Sequence, residues 1–176
     1  MAGVRLTFLG PAAAWLKDGT ADWFWPEAEK AGLPVMFLAP GQTAAFATIA
    51  ERHPRLALIA DHMGLSVDLV KEGKAAEAIA ATASLAKYPN VSVKLSAAAN
   101  YSQDGYPFRD MTPHIKRLFE AFGPQRCHWG SDMTNGFDKA TYPQRITHFT
   151  EELPFLTEAD KDQILGKSIL AKLRWS

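Results

Sequence analysis

The stretch LALIADHMG, residues 56–64, is an apolar run that ends abruptly in Asp61, His62 and Gly64. A short apolar run bounded by polar and turn residues predicts a strand that is buried on both faces, as the strands of parallel sheets are. Catalytic and ligand-binding side chains gather at the carboxyl ends of such strands. His62 is therefore a candidate site residue, and a buried structural histidine is the alternative.

Other apolar runs predict further strands, and amphipathic or alanine-rich segments predict helices between them. The strands are GVRLTFL (3–9), LPVMFLA (33–39), VSVKLSA (91–97) and RCHWGSD (126–132). The helices lie near 26–30, 42–52, 74–87, 112–122, 143–153 and 157–173. Because strand and helix alternate along the chain, we expect an α/β fold with parallel strands, either an open doubly wound sheet or a (β/α) barrel.

The composition limits the classes of partner. Lys plus Arg equals Asp plus Glu, at 19 each, so there is no basic surface for nucleic acid, and no apolar stretch is long enough to span a membrane. The chain has no glycine-rich nucleotide motif. Cys127 is the single cysteine, and the amino terminus lacks the features of a signal peptide. We expect a cytoplasmic domain that binds a small molecule.

The strand ends carry residues that can bind a metal or move a proton. His62 follows the third strand, Asp132 follows the fifth, and Lys94 and Ser96 lie on the polar face of the fourth. In a barrel these ends share one rim, so His62 and Asp132 would meet in one pocket. Such a pair could hold a divalent ion or activate water, and Lys94 could bind an anionic substrate. The alternatives are that Asp132 caps the next segment and that Lys94 pairs with a buried carboxylate.

The other histidines and the cysteine are expected to have structural or surface roles. His128 has the same strand parity as Asp132 but is expected to be structural. His53, His114 and His148 lie in predicted helices or at their ends, and we expect them at the surface. Cys127 lacks the partners that a catalytic thiol requires.

Several motifs together resemble a known family. They are ADHMG (60–64), NVSVKLSA (90–97), FGPQRCHWGSDM (122–133) and ILGKSILAKL (164–173). In order and spacing they are similar to the carboxyl-terminal half of the amidohydrolase-related family, which are TIM-barrel hydrolases. The lactonase branch is the most similar, although Ala97 stands where that branch has glycine.

The resemblance, together with charge and position in the chain, suggests roles for six residues. His62, Lys94 and Asp132 match the ends or faces of the last three barrel strands of the family. Asp132 would be the general base on water, and His62 would polarise the carbonyl or hold a metal. The resemblance and the cationic side chains together suggest that Arg5 and Lys94 bind a substrate carboxylate. Two residues in the loops after the fourth and fifth strands, Tyr101 and Asn135, are candidate substrate contacts.

The departures from the family concern metal and length. Its members begin with a His-x-His strand that this chain lacks, and PVMFLAP (34–40) has no histidine where metal-dependent members have one. Only His62 and Asp132 remain as metal ligands, so we expect one zinc or manganese ion in a complete form and no tightly bound metal in this chain. The first strand resembles strand four of the family. We therefore expect a single amidohydrolase-related domain over 1–176, truncated at its amino terminus, that forms strands four to eight of a partial TIM barrel.

The predicted function is hydrolysis of a lactone in a small carboxylated or sugar-acid substrate. One alternative is a catalytically inactive barrel remnant or interaction module. Another is a metal-dependent decarboxylase of the same family. An incomplete barrel exposes sheet edges, so we also expect association into homo-oligomers through these edges.

Overall fold

Five strands pair in chain order in one parallel sheet. They are β1 (Val4–Thr7), β2 (Val35–Leu38), β3 (Leu58–Ala60), β4 (Val91–Ser96) and β5 (Cys127–Gly130). This computed structural model describes residues 2–174. The parallel pairing confirms the predicted α/β fold, and all five strands lie within the apolar runs that predict them.

Helices connect the strands and follow the last one. The α-helices are α1 (Phe24–Lys30), α2 (Thr43–Arg52), α3 (Val67–Lys71), α4 (Ala75–Ser84), α5 (Ala98–Tyr101), α6 (Thr112–Phe122), α7 (Tyr142–Thr150), α8 (Glu158–Asp162) and α9 (Ser168–Leu173). A π-helical turn, Gln163–Lys167, joins α8 to α9. Short 3-10 turns cover Gly10–Leu16, Asp61–Gly64, Leu85–Lys87, Arg109–Met111, Pro124–Arg126 and Met133–Asn135. Within residues 2–174 no helix has the length and apolar character that a bilayer crossing needs.

The core lies between the sheet and the helices. Strand residues such as Val35, Leu58 and Val91 are completely buried. Helix α6 buries Ile115 and Leu118 on the apolar face that the sequence pattern predicts for it. One apolar core therefore holds the strands against the helices that connect them.

Helix α9 covers the edge strand β5. The Ser168 hydroxyl donates to the carbonyl of Cys127 at 2.7 Å, and its oxygen lies 2.7 Å from Nδ1 of His128. Since the hydroxyl proton goes to the carbonyl, His128 must donate from Nδ1. At the far end of α9, a Cβ added to Gly3 would lie 3.4 Å from Leu173. The carboxyl-terminal helix therefore reaches from β5 to the start of the opposite edge strand, and His128 has the structural role predicted for it.

The prediction that His148 lies at the surface is wrong. Its side chain on α7 is 1% exposed and meets the rings of Phe108 and Phe149 edge-on, each at 5.3 Å between centroids. His148 shares the buried face of α7 with Arg145 and Phe149. Two of the three residues on this face, Arg145 and His148, are types that are usually exposed, so the apolar pattern of the helix does not indicate their burial.

The ADHMG stretch forms a tight turn that requires glycine. Gly64 has φ +72°, a left-handed conformation that L side chains adopt at a cost. A Cβ at this position would also overlap the hydroxyl of Thr82 on α4. The turn that ends β3 therefore packs directly on α4, and this contact leaves no room for a side chain at residue 64.

Substituting Gly64 tests this packing. Gly73 also has a positive φ, +70°, but nothing lies within 4 Å of an added Cβ, so it is a matched control. We expect Gly73→Ala to lower the free energy of unfolding by about 1 kcal/mol, and Gly64→Ala to lower it by about 1–3 kcal/mol more because of overpacking. Urea denaturation measures both, and Thr82→Ala should recover the additional loss. Equal losses for the two glycine variants would contradict the account.

The buried histidines predict an acid-sensitive fold. Burial lowers the pKa of both His128 and His148 from 6.5 to about 4. The unfolded chain therefore binds more protons than the folded one as the pH falls below 6.5, and stability is lost. Between pH 7 and pH 5 we expect each histidine to reduce the free energy of unfolding by about 2 kcal/mol. In His148→Phe, which keeps an aromatic ring, the loss measured by urea denaturation should shrink by that amount. An unchanged loss would contradict the assignment.

Candidate active site

A fully buried carboxylate, that of Asp61, stands at the centre of the strand ends. Its Oδ2 accepts from Nε of Arg5 at 2.7 Å, and its Oδ1 lies 3.3 Å from Nζ of Lys94. The backbone N–H of His62 donates to Oδ1 at 3.0 Å. Burial alone would raise the pKa of the Asp61 carboxyl, but His62, Lys94 and Arg5 together outweigh it and hold the pKa below its usual range. Asp61 is therefore ionised and joins β1, β3 and β4.

Contacts on both ring nitrogens determine the tautomer of His62. Nδ1 lies 2.7 Å from the Ser96 hydroxyl, and Nε2 lies 3.2 Å from Nη2 of Arg5 and 3.4 Å from Oδ2 of Asp61. The guanidinium is the nearer neighbour of Nε2 and only donates, so we assign the acceptor role to Nε2 and the proton to Nδ1. Burial lowers the pKa of His62, although the carboxylates of Asp61 and Asp132 oppose this effect. His62 is thus a neutral imidazole whose Nε2 lone pair faces Arg5.

The Asp132 carboxylate approaches His62 from the loop after β5. Its Oδ1 lies 3.7 Å from His62 Nε2. Asn100 donates from Nδ2 to Oδ2 at 2.6 Å, and Asn135 donates from Nδ2 to Oδ1 at 2.8 Å. The side chain of Asp132 is 9% exposed, so the carboxylate is held by two amides at the edge of a cleft.

The residues that follow three neighbouring strands share an unusual backbone conformation. His62 after β3, Ala97 after β4 and Asp132 after β5 have φ values of +48°, +67° and +49°. Non-glycine residues adopt this left-handed region at a cost of about 1–3 kcal/mol, and such residues cluster at functional sites. Position 97 is also where the lactonase branch has glycine, which the positive φ explains. Each strand therefore turns sharply at the rim.

A cleft of about 380 Å³ brings most of the predicted site residues together. Its lining includes Arg5, His62, Asp132, Asn135 and Tyr101. The Tyr101 hydroxyl donates to the carbonyl of Leu65 at 3.0 Å, and burial raises its pKa. That these five residues contact a substrate stays a prediction.

Three residues of the site, Asp61, Ser96 and Asn100, are not among the site residues that the sequence predicts. Lys94 pairs with Asp61, which is the alternative considered for it, and Asp61 itself stands in the motif directly before the candidate histidine. Ser96 lies on the predicted polar face of β4, and this alternation was the available signal for its contact with His62. Asn100, which binds Asp132, lies in the short helix α5 and follows no recognisable pattern.

The described residues do not fit a tightly bound metal ion. Among residues 2–174 no group of three or more His, Cys, Asp or Glu side chains is arranged to hold one. His62 and Asp132 offer two donor atoms, whereas zinc sites ordinarily use three or four protein ligands. The Arg5 guanidinium lies 3.2 Å from Nε2 of His62, so a fixed cation already faces the lone pair that a metal would need.

Comparison with known proteins shows which family the sequence of the chain matches. The model of the amidohydrolase family Amidohydro_2 matches residues 1–170. A curated relative, the L-fucono-1,5-lactonase of Burkholderia ambifaria, is 28% identical over 95 residues, which are 54% of this chain and 32% of that protein.

Solved structures share the fold at low sequence identity. An amidohydrolase from Burkholderia multivorans with bound HEPES superposes with a TM-score of 0.85 at 20% identity, over 99% of this chain and 65% of that one. The same protein with bound zinc gives 0.84 at 21% identity, over 98% and 64%. A putative 2-pyrone-4,6-dicarboxylic acid hydrolase from Pseudomonas putida gives 0.74 at 19% identity, over 99% and 63%. The chain spans less than two thirds of the length of these relatives, and its sheet matches part of a TIM barrel, as predicted.

The donor set predicts weak zinc binding. With two donors and a neighbouring guanidinium, we expect the chain to retain substoichiometric zinc after incubation with zinc and gel filtration. Elemental analysis of the wild-type protein and of His62→Ala measures this. One tightly bound zinc per chain that disappears in His62→Ala would contradict the account of the site.

Proposed function

Because the chain belongs to the amidohydrolase family, we propose that it is a hydrolase that opens lactones of small carboxylated or sugar-acid substrates. The observation that carries the proposal is one cleft in which the Asp132 carboxylate, the neutral His62 and the Arg5 guanidinium lie side by side. The similarity to a curated lactonase supports the choice of reaction.

Asp132 is the general base in this proposal. Water held by its Oδ1 attacks the lactone carbonyl carbon and gives its proton to the carboxylate. The tetrahedral oxyanion then collapses, the ring C–O bond breaks, and the leaving alkoxide takes the proton from Asp132. Water is added overall, the product is a hydroxy acid, and the carboxylate is regenerated. His62 Nε2, 3.7 Å from Oδ1, is a second acceptor next to the attacking water.

Arg5 supplies the positive charge at the mouth of the cleft. Its side chain is 48% exposed, and its recorded contacts with Asp61 and His62 use Nε and Nη2. Nη1 can therefore donate to a substrate carboxylate or to the developing oxyanion. Since the described tautomer of His62 presents a lone pair, we assign polarisation of the carbonyl to Arg5. Lys94 acts through Asp61, whose ionised carboxylate holds both cations in place.

Association is the competing proposal, and one observation favours it. Strand β1 is an edge strand, and the nearby side chains of Trp15 and Trp23 are 49% and 70% exposed. Edges and apolar surface of this kind promote pairing with another chain. The decarboxylase alternative depends on a metal, and the donor set of the described residues gives it no support.

A lactonase assay on the purified chain tests the proposal. Hydrolysis of a panel of sugar-acid lactones is measured by proton release. We expect the chain to open at least one of them. Asp132→Asn should then lower kcat/KM by about 100-fold or more, because general bases contribute on that scale. Asp162→Asn, on an exposed carboxylate paired with Lys167, is the control and should leave the rate unchanged. Absence of hydrolysis across the panel, or full activity in Asp132→Asn, would overturn the proposal.

A further inference from the structure

Both oxygens of the Asp132 carboxylate receive a side-chain amide, but the two amides differ in how they are held. Asn135 is exposed and lies in the same loop as Asp132. Asn100 comes from α5, beyond the end of β4, and donates to Oδ2 at 2.6 Å and to the Asp132 carbonyl at 3.3 Å. The 2.6 Å bond from Asn100 to Oδ2 thus connects the segment after β4 to the segment after β5.

The orientation of the Asn100 amide is determined by Arg145. Both Nη1 and Nη2 of this arginine lie 3.1 Å from Oδ1 of Asn100. A guanidinium has no acceptor atom, so Oδ1 must face Arg145 and Nδ2 must face Asp132. The reverse amide orientation would place donors against donors and would lose the bond to the carboxylate.

Arg145 is itself buried and anchors the loop that carries Asp132. It is 4% exposed, and it donates to the carbonyl of Ser131 at 2.8 Å and to the carbonyl of Gly136. Among residues 2–174 no carboxylate lies within ion-pair distance of it. An arginine without an ion-pair partner is rarely buried, and here its donors are used on Asn100 and on the two ends of the loop.

Gly136 allows this close approach. A Cβ at this position would overlap the Asn100 amide and lie 3.1 Å from Nη2 of Arg145. The loop backbone therefore packs against the amide and the guanidinium, with no space for a side chain. Asp132, Asn100, Arg145 and Gly136 form one connected unit, which we call the Asp132 support.

We propose that Asn100 and Arg145 are positioning residues for Asp132: Arg145 orients the amide of Asn100, and Asn100 holds Oδ2 so that Oδ1 faces the cleft. This inference rests on the proposed role of Asp132 as the general base. Misplacement of a base by about 1 Å can cost about 100-fold in rate. The support therefore acts on the rate.

The activity measurement uses Asn100→Leu, which keeps the approximate size of the side chain and removes the donor. We expect kcat to fall about 10- to 100-fold with little change in KM, because the amide holds the base and not the substrate. Arg145→Lys, which keeps the charge but loses the planar pair of donors that faces Asn100, should lower kcat in the same way. Gln103→Leu, on a nearby amide that contacts the Tyr101 carbonyl, is the matched control and should change neither kcat nor KM. An unchanged kcat in Asn100→Leu would overturn the inference.

An NMR measurement separates this inference from the proposed function. The side-chain amide signals of Asn100 should show protection from hydrogen exchange that is lost in Asp132→Asn and in Arg145→Lys. Signals that do not respond to either substitution would overturn the inference even in an active enzyme. Signals that respond in a chain that opens no lactone would support the positioning unit and contradict the proposed reaction.

Discussion

The ionised carboxylate of Asp61 is the constraint on which the site depends. A charge that is completely buried is costly unless partners satisfy it, and here Arg5, Lys94 and the His62 backbone do so. These partners come from β1, β4 and the end of β3. The need to satisfy one anion therefore positions the carboxyl ends of three strands relative to one another. It also explains why two cations can lie next to a neutral imidazole.

The rest of the site follows from this arrangement. Arg5, held by Asp61, faces Nε2 of His62, which in turn requires the proton to lie on Nδ1 beside Ser96. Asp132 enters from the fifth strand with its own support from Asn100. The cleft thus combines a fixed cation, a neutral acceptor and a carboxylate. This set is suited to activating water beside a polarised carbonyl.

Local sequence patterns are sufficient to predict the architecture and part of the site. Apolar runs predict every strand of the sheet, and the polar residues at their carboxyl ends predict that His62 and Asp132 meet. The partners of these residues could not be predicted, because their contacts join distant segments. The amide of Asn100 and the guanidinium of Arg145 are separated by 45 residues in the chain. The tautomer of His62 likewise depends on a contact with Arg5, 57 residues away.

A crystal structure of the chain with a bound sugar-acid product tests the central claim most directly. The account predicts that the product carboxylate contacts Arg5 and lies within hydrogen-bond distance of Asp132, in the cleft that His62 lines. It also predicts that the bond between Asn100 and Asp132 persists in the complex. A product bound elsewhere, for example beside the exposed Trp15 and Trp23, with the strand-end cleft filled only by water, would contradict it.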